Sequence, residues 1–131
     1  MLTRFQSMPG TPAVAGPYSQ AVVSGGLVFT AGQIPLSPLD NQSPPDFEQQ
    51  VRQIMHNLRQ TLLAAGSDLQ HVIKVNGYLT DPDQLEVYNR VYREFMGDAL
   101  PARTTVCVSL WGVSMEIDCI AECINPGQPP D

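Results

Sequence analysis

The sequence predicts an α+β fold in which one mixed β-sheet carries two helices on a single face. Two segments have apolar residues at helical spacing, and short runs rich in β-branched residues lie before, between and after them. The predicted order β-β-α-β-α-β-β suits one sheet layered with two helices. A length of 131 residues suits one domain. The segments SMPGTPAVAGP and NPGQPPD are rich in proline and glycine. We therefore expect a single domain over residues 1–131, with irregular ends at about 1–11 and 125–131.

The first two strands are expected at residues 19–23 and 27–31. Ser24, Gly25 and Gly26 lie between them and are typical of a hairpin turn. Residues 34–45 contain four prolines. Proline has no N–H to donate to a neighbouring strand, so this stretch is expected to be a loop.

The first helix begins near Phe47 and has the clearest periodicity in the chain. Ser43, with Asp46 three residues later, is a plausible start, and Gly66 a plausible end. His56 lies beside the apolar stripe and is interpreted as an ordinary helix residue rather than a catalytic one. The stripe that should face the core consists of Val51, Ile54, Met55, Leu58, Leu62 and Ala65.

A strand at residues 71–79 leads to the second helix, at residues 83–96. Gly97 follows this helix as its stop. A stripe of this kind is usually core, and we interpret it so. Its members are Leu85, Tyr88, Val91, Tyr92 and Phe95.

Two strands, at residues 104–109 and 114–124, close the chain. The last one alternates between an apolar row that should pack on the helices and a mixed row formed by Glu116, Asp118, Ile120 and Glu122. One layer of helices leaves the mixed row uncovered. A sheet face that is half apolar and half charged indicates that another subunit covers it.

Charge limits the possible partners. The net charge is −6, and the seven Lys and Arg residues are scattered along the chain. Nucleic-acid binding usually requires clustered cations that neutralise phosphates, so the sequence argues against it. An anionic metabolite remains possible, because one site needs only one or two cations.

No apolar run is long enough for a membrane helix, and the first residues lack a signal-peptide core, so a soluble cytoplasmic protein is expected. Three cysteines, an odd number, argue against a disulfide framework. Cys119 and Cys123 would be about 13 Å apart on one strand, too far to be bridged. The cysteines are therefore interpreted as small buried hydrophobic residues. Two distant histidines and no CxxC pair give no metal-ligand spacing.

The segment LPARTTVCV places Arg103 at the start of a predicted strand. Two interpretations stand at this point. Arg103 is either a surface or ion-paired arginine, or a clamp that holds an anion.

Several segments together resemble the Rid/YjgF family of reactive intermediate deaminases: AGPYSQAV, VFTAGQIPL, AAGSDLQHVIKVNGYLTD, VYNRVYREFM, LPARTTVCV and MEIDCIAE. They occur in the family's order and span about residues 12–122. The resemblance implies a chorismate-mutase-like fold, a homotrimer whose sheets form a central barrel, and clefts between subunits. It also implies hydrolysis of imines or enamines, such as 2-aminoacrylate and 2-iminopropanoate, to 2-keto acids and ammonia, without cofactor or metal.

The same resemblance implies the site residues. Arg103 matches the arginine that grips the substrate carboxylate. Glu116 is the candidate that orients or deprotonates water, and Tyr18 offers a hydroxyl. The resemblance also implies that each cleft takes residues from two chains. The remaining substrate-binding candidates are Asn89, Gly32 and Thr105.

Departures from the family pattern leave the substrate open. Thr105 stands where cysteine is common, Ala31 replaces a frequent serine, and the turn containing Trp111 is short. A divergent subgroup that acts on an aminomuconate-like enamine is one alternative. A non-catalytic trimer that binds keto or amino acids is a second. An endoribonuclease or translation inhibitor is a third, and the acidic charge balance counts against it.

Overall fold

The computed structural model describes residues 2–124, which form a mixed six-stranded sheet and two helices. This confirms the predicted fold class. The elements are β1 (Thr3–Phe5), β2 (Ala21–Ser24), β3 (Leu27–Thr30), α1 (Phe47–Ala64), β4 (Val72–Leu79), α2 (Leu85–Met96), β5 (Ala102–Cys107) and β6 (Met115–Glu122).

The strands are ordered β1-β2-β3-β6-β4-β5. All neighbouring pairs are antiparallel except β4 and β5, which run parallel. Parallel neighbours need a crossover, and α2 provides it between β4 and β5. The crossover places α2 beside β5, the strand that carries Arg103, one of the site residues predicted from the sequence.

The N-terminal residues differ from the expectation for 1–11. Thr3–Phe5 form a short edge strand that pairs with β2, and Phe5 packs against the core. A three-residue strand is too short to show an alternating pattern, and its partner lies some 20 residues away, so no local signal predicts it. The other predicted irregular end, residues 125–131, lies outside the described residues.

Helix α1 begins at Phe47, as the periodicity predicts, but its N-cap is Asp46 rather than Ser43. The Asp46 carboxylate accepts a 2.9 Å hydrogen bond from the Gln49 N–H, which caps the helix. Pro44 and Pro45 explain the difference, because a residue before proline is pushed toward extended backbone. Gly66 ends the helix as predicted, with φ of 90°.

Strand β5 begins two residues earlier than predicted, at Ala102. Arg103 is therefore inside the strand, where it lies opposite Val75 of β4. Because Val75 is buried in the core, this pairing and strand alternation put Arg103 and Thr105 on the face that the helices cover.

The core lies between the helices and one face of the sheet. Val28 and Ile117 on the sheet and Ile54 on α1 are fully buried in it. Cys119 and Cys123 are buried as expected, but Cys107 is exposed, because it lies at the end of the edge strand β5. No helix within residues 2–124 is both long and apolar enough to cross a bilayer.

The opposite face of the sheet is uncovered in the single chain. Phe29 and Val106 each keep 41% of their surface exposed and Val108 keeps 39%. Glu116 and Asp118 lie on the same face, on β6. The mixed row predicted from the last strand is therefore present, and its coverage by another subunit stays a prediction.

Candidate functional site

Arg103 is held in one orientation by residues of α2. Its Nη2 donates a 2.7 Å hydrogen bond to Oδ1 of Asn89. Its Cζ lies 4.7 Å from the ring centroid of Tyr88 and 4.8 Å from that of Tyr92. The three side chains restrict rotation of the guanidinium, and the two rings add cation–π attraction. No carboxylate within residues 2–124 forms an ion pair with Arg103, so it is not an ion-paired arginine in this chain.

An open pocket of about 250 Å³ lies at this arginine. The volume is below the roughly 300–1,000 Å³ of pockets for larger ligands, so it suits a small metabolite. The pocket contains two guanidinium groups and no carboxylate among its lining residues, which are Asn89, Tyr92, Arg93, Leu100, Pro101 and Arg103.

Three buried hydroxyl groups belong to the residues around Arg103. The hydroxyls of Tyr88, Tyr92 and Thr105 have no hydrogen-bond partner of good geometry within residues 2–124. Burial raises the pKa of Tyr92 to about 12, with a further contribution from Tyr88. Burial also raises the pKa of Tyr88, although the positive charge of Arg103 opposes this. Both phenols therefore stay protonated and neutral at physiological pH.

Glu116 lies in a second location, against Gly32. The carboxylate occupies the space that a Cβ on Gly32 would need. Gln33 fixes this approach, because its N–H donates to the Ile117 carbonyl at 2.7 Å and its carbonyl accepts from the Ile117 N–H at 3.1 Å. Burial raises the pKa of Glu116, and the nearby charge of Asp118 raises it further.

Tyr18 lies in the loop before β2, two residues before Gln20. It is 41% exposed, and its hydroxyl accepts a 3.3 Å hydrogen bond from the Ala15 N–H. The Ala31 N–H donates to the Gln20 carbonyl at 2.8 Å, which joins the two loops.

Sequence reasoning missed two buried glutamines that support these loops. Nε2 of Gln33 donates to Oε1 of Gln20 at 3.1 Å, and Nε2 of Gln20 donates to the Pro12 carbonyl at 2.9 Å. The available signal was their position inside the segments GPYSQ and AGQIP, one or two residues from the predicted site residues.

The predicted site residues thus form two groups within one chain. We call Asn89, Arg103 and Thr105 the arginine group, and Tyr18, Gly32 and Glu116 the glutamate group.

The sheet separates the two groups. Arg103 lies opposite Val75 of β4, whereas Glu116 lies opposite Tyr78, three residues further along that strand. Three residues correspond to about 10 Å, and β4 lies between β5 and β6. By strand alternation the two side chains also point to opposite faces. A site that contains both groups therefore needs a second chain.

Neither histidine belongs to either group. His56 is exposed and its ring packs edge-on against Phe95 at 5.4 Å, as expected for an ordinary helix residue. Nδ1 of His71 lies 2.7 Å from Oδ1 of Asp68. Within residues 2–124, no three His, Cys, Asp or Glu side chains are grouped to hold a metal ion.

Comparison with known proteins gives consistent matches over nearly the whole chain. The family model described as Endoribonuclease L-PSP matches residues 8–123. The Schizosaccharomyces pombe protein mmf2, named as mitochondrial, is 44% identical over 111 residues, which covers 81% of this chain and 87% of the relative. The Escherichia coli protein TdcF, named as a reactive intermediate deaminase, is 35% identical over 115 residues, covering 84% and 89%.

Solved structures agree with the sequence matches. A yeast protein called YEO7 superposes with a TM-score of 0.89 at 34% identity, covering 94% of this chain and 99% of its own. E. coli TdcF with bound serine superposes with a TM-score of 0.86 at 32% identity, covering 92% and 98%.

Because a relative is named as mitochondrial, the cytoplasmic location stays a prediction from sequence. The family predicted from the sequence segments is confirmed, and this chain belongs to the Rid/YjgF family.

Proposed function

We propose that this protein hydrolyses reactive imines and enamines of the 2-aminoacrylate and 2-iminopropanoate type to 2-keto acids and ammonia. The observation that carries the proposal is Arg103, an oriented guanidinium at the edge of a small pocket, which has no carboxylate partner within residues 2–124. The relative named as a reactive intermediate deaminase supports the reaction class. The structure of that relative with serine, an α-amino acid, supports a ligand with a carboxylate beside a nitrogen-bearing carbon.

In the proposal Arg103 binds the substrate carboxylate. A guanidinium is permanently charged, and its planar donors match a carboxylate through two parallel hydrogen bonds. Asn89 occupies one N–H of Nη2, and no other side-chain hydrogen bond of good geometry engages the Arg103 fork within residues 2–124, so its remaining donors can bind a carboxylate. The rings of Tyr88 and Tyr92 fix the plane of the fork before substrate arrives, so less entropy is lost on binding.

The chemical step needs an activated water. An enamine first takes a proton on carbon, as the C=C π electrons move to that carbon and the nitrogen lone pair forms the C=N bond, and so becomes the protonated imine. In the protonated imine the C=N carbon is electrophilic, and water adds to it while its proton passes to the Glu116 carboxylate. A C–O bond forms, and the C=N π electrons move to nitrogen. Glu116 then returns this proton to the amine nitrogen. The C–N bond breaks and its electron pair leaves with ammonia, while the hydroxyl oxygen forms the C=O bond and its proton passes to the Glu116 carboxylate. We propose that Tyr18 donates or accepts a hydrogen bond to the water or the leaving amine.

We further propose that the working assembly is a homotrimer with three clefts between subunits. Each cleft combines the arginine group of one subunit with the glutamate group of its neighbour. Two observations support this: the groups lie on opposite faces of one sheet, and the face that carries Glu116 is uncovered in the single chain. Closing the cleft between subunits also excludes water, which strengthens the pair between Arg103 and the carboxylate.

The decisive experiment is turnover of freshly generated 2-iminopropanoate. An amino-acid oxidase generates the imine, semicarbazide traps what remains, and the enzyme lowers the trapped fraction. Wild type should lower it strongly. Arg103→Ala should lose about 10³-fold in kcat/KM, and Arg103→Lys about 10²-fold, because lysine keeps the charge but loses the fork. Arg90→Ala is the matched control, since Arg90 lies on α2 but pairs with Glu48 at 2.8 Å.

A non-catalytic ligand-binding trimer would use the same arginine. It would bind 2-keto acids while leaving the trapped fraction at the level without enzyme. That result would remove the deaminase proposal and keep the binding role.

Cleavage of RNA, which the description of the family model names, has less support in the described residues. Neither His56 nor His71 lies in the arginine or glutamate group, and the net charge is −6. RNA binding that weakens steeply with added salt would be the observation in its favour.

A further inference from the structure

Arg93 is a second arginine at the pocket of Arg103. The chain has seven Lys and Arg residues in total, and two of them line this one pocket. No Asp or Glu within residues 2–124 lines it. Two guanidiniums in one pocket repel each other, so the arrangement favours binding of a ligand with more than one negative charge.

The neighbouring arginines of α2 and α1 are engaged differently. Arg52 forms ion pairs with Glu48 and Glu94, at 3.1 and 2.8 Å, and Arg90 pairs with Glu48 at 2.8 Å. Within residues 2–124, the Arg93 side chain forms no ion pair. Its guanidinium is exposed and available to a ligand.

The helix sets the position of Arg93 relative to Arg103. Asn89, which binds Arg103, lies four residues before Arg93 on α2. Residues four apart face the same side of a helix, about 6 Å along its axis. Arg93 therefore stands one helical turn from the hydrogen bond that orients Arg103. This separation is of the same order as the distance between the two carboxylates of a short diacid.

We propose that Arg93 is a specificity-determining residue that binds a second carboxylate, so that the preferred substrates are imines of α-amino dicarboxylic acids. Arg103 holds the carboxylate next to the imine carbon, and Arg93 holds the carboxylate at the end of the side chain. This inference rests on the proposed hydrolysis of imines and names the substrate class for it. The reaction keeps the same balance, in which water enters, ammonia leaves and a 2-keto diacid forms.

The test compares the imines made in situ from glutamate and from alanine by their oxidases. Wild type should show a higher kcat/KM for the glutamate-derived imine. In Arg93→Gln, the ratio of the two kcat/KM values should fall about tenfold, as expected for loss of one hydrogen-bonded charge pair. Arg90→Gln is the matched control and should leave the ratio unchanged, because it removes one charge from the same helix outside the pocket. An unchanged ratio in Arg93→Gln, or a wild-type preference for the alanine-derived imine, would overturn the inference.

Binding of the product keto acids separates the inference from the proposed function. Calorimetry would compare 2-oxoglutarate with pyruvate on wild type and Arg93→Gln. In one outcome neither imine is hydrolysed, but wild type binds 2-oxoglutarate more tightly than pyruvate and Arg93→Gln removes this difference. Hydrolysis then fails and the second-carboxylate site stands. If imines are hydrolysed but 2-oxoglutarate has no advantage over pyruvate, hydrolysis stands and the second-carboxylate site fails.

Discussion

The carboxylate of Glu116 fills the space beside Gly32 that any larger residue would need. A Cβ on Gly32 would overlap Oε1 of Glu116 and lie 2.6 Å from its Cδ. The restriction is one of space, since the backbone of Gly32 is not in the left-handed region. Residue 32 therefore controls where the carboxylate of Glu116 stands.

Gly32→Ala should displace Glu116 and lower kcat/KM for imine hydrolysis by about tenfold or more, within the range set by losing a positioned base. The overlap should also destabilise the fold by about 1 kcal/mol, at the lower end for overpacking because a flexible side chain can move. Steady-state kinetics and urea unfolding measure the two effects.

The double variant Gly32→Ala/Glu116→Ala separates the causes. Removing the Glu116 carboxylate should restore the stability lost in Gly32→Ala but not the activity. Full activity in Gly32→Ala would show that the position of Glu116 does not matter for turnover.

Gly77 and Tyr88 form a similar close approach under Arg103. A Cβ on Gly77 would lie 2.8 Å from the Tyr88 hydroxyl and 3.3 Å from two ring carbons. The ring is fully buried and cannot swing away, so Gly77→Ala should lower the free energy of unfolding by about 1–3 kcal/mol. Chemical denaturation measures this change.

Tyr88→Phe is the partner variant for this prediction. It removes a buried hydroxyl that lacks a hydrogen-bond partner of good geometry within residues 2–124, so alone it should leave stability unchanged or slightly raised. Combined with Gly77→Ala it should recover part of the loss. A loss of more than about 1 kcal/mol in Tyr88→Phe alone would show that the hydroxyl is hydrogen-bonded after all.

Sequence predicted the elements whose signal is local. Helix α1 was found because its apolar residues repeat over five turns, and only its N-cap was misassigned, to Ser43 instead of Asp46. Strand β1 was missed because three residues carry no period and pair with residues far along the chain. The type of α1 could therefore be predicted from the local pattern of apolar residues, whereas the edge strand β1 depends on tertiary contacts that the sequence does not reveal.

The site divides in the same way. Arg103 could be singled out from the sequence because cations are scarce, but the residues that orient its guanidinium could not. Tyr88 and Tyr92 were interpreted as core residues, and they are buried, yet their rings also orient the guanidinium. The Gln20–Gln33 pair joins two loops through side chains, which no periodicity can reveal.

The pKa of Glu116 predicts how stability depends on pH. Burial, with the charge of Asp118, raises the pKa above its ordinary value of 4.5. The folded state therefore binds the Glu116 proton more tightly than the unfolded state does. The stabilisation that this proton gives is fully present below about pH 4.5 and is lost as the pH rises through the folded-state pKa. At pH 7 Glu116→Gln should thus be more stable than wild type, and the difference should vanish near pH 4. Denaturation of both proteins at pH 7 and near pH 4 tests the sign. A wild type that is more stable than Glu116→Gln at pH 7 would contradict it.

Asp118→Asn should act on the same pKa through charge. It removes the neighbouring negative charge, so the pKa of Glu116 should fall and the acid limb of the pH profile of kcat/KM should move to lower pH. Glu86→Gln removes one negative charge from the exposed side of α2 and should leave the limb in place. If Asp118→Asn and Glu86→Gln shift the acid limb equally, the net charge of the protein, rather than the nearby charge of Asp118, sets the position of that limb.

Mixing two inactive variants tests whether each cleft takes residues from two subunits. Arg103→Ala keeps an intact glutamate group, and Glu116→Gln keeps an intact arginine group. In a trimer with identical clefts between neighbours, random mixing in equal amounts gives about one cleft in four with both groups intact. Co-refolded mixtures should therefore recover about a quarter of wild-type activity, whereas each variant refolded alone recovers almost none. A mixture that stays inactive, although native mass spectrometry shows mixed assemblies, would mean that no cleft joins the arginine group of one subunit to the glutamate group of another. The double variant Arg103→Ala/Glu116→Gln mixed with wild type is the control, because there any intact cleft requires two wild-type neighbours.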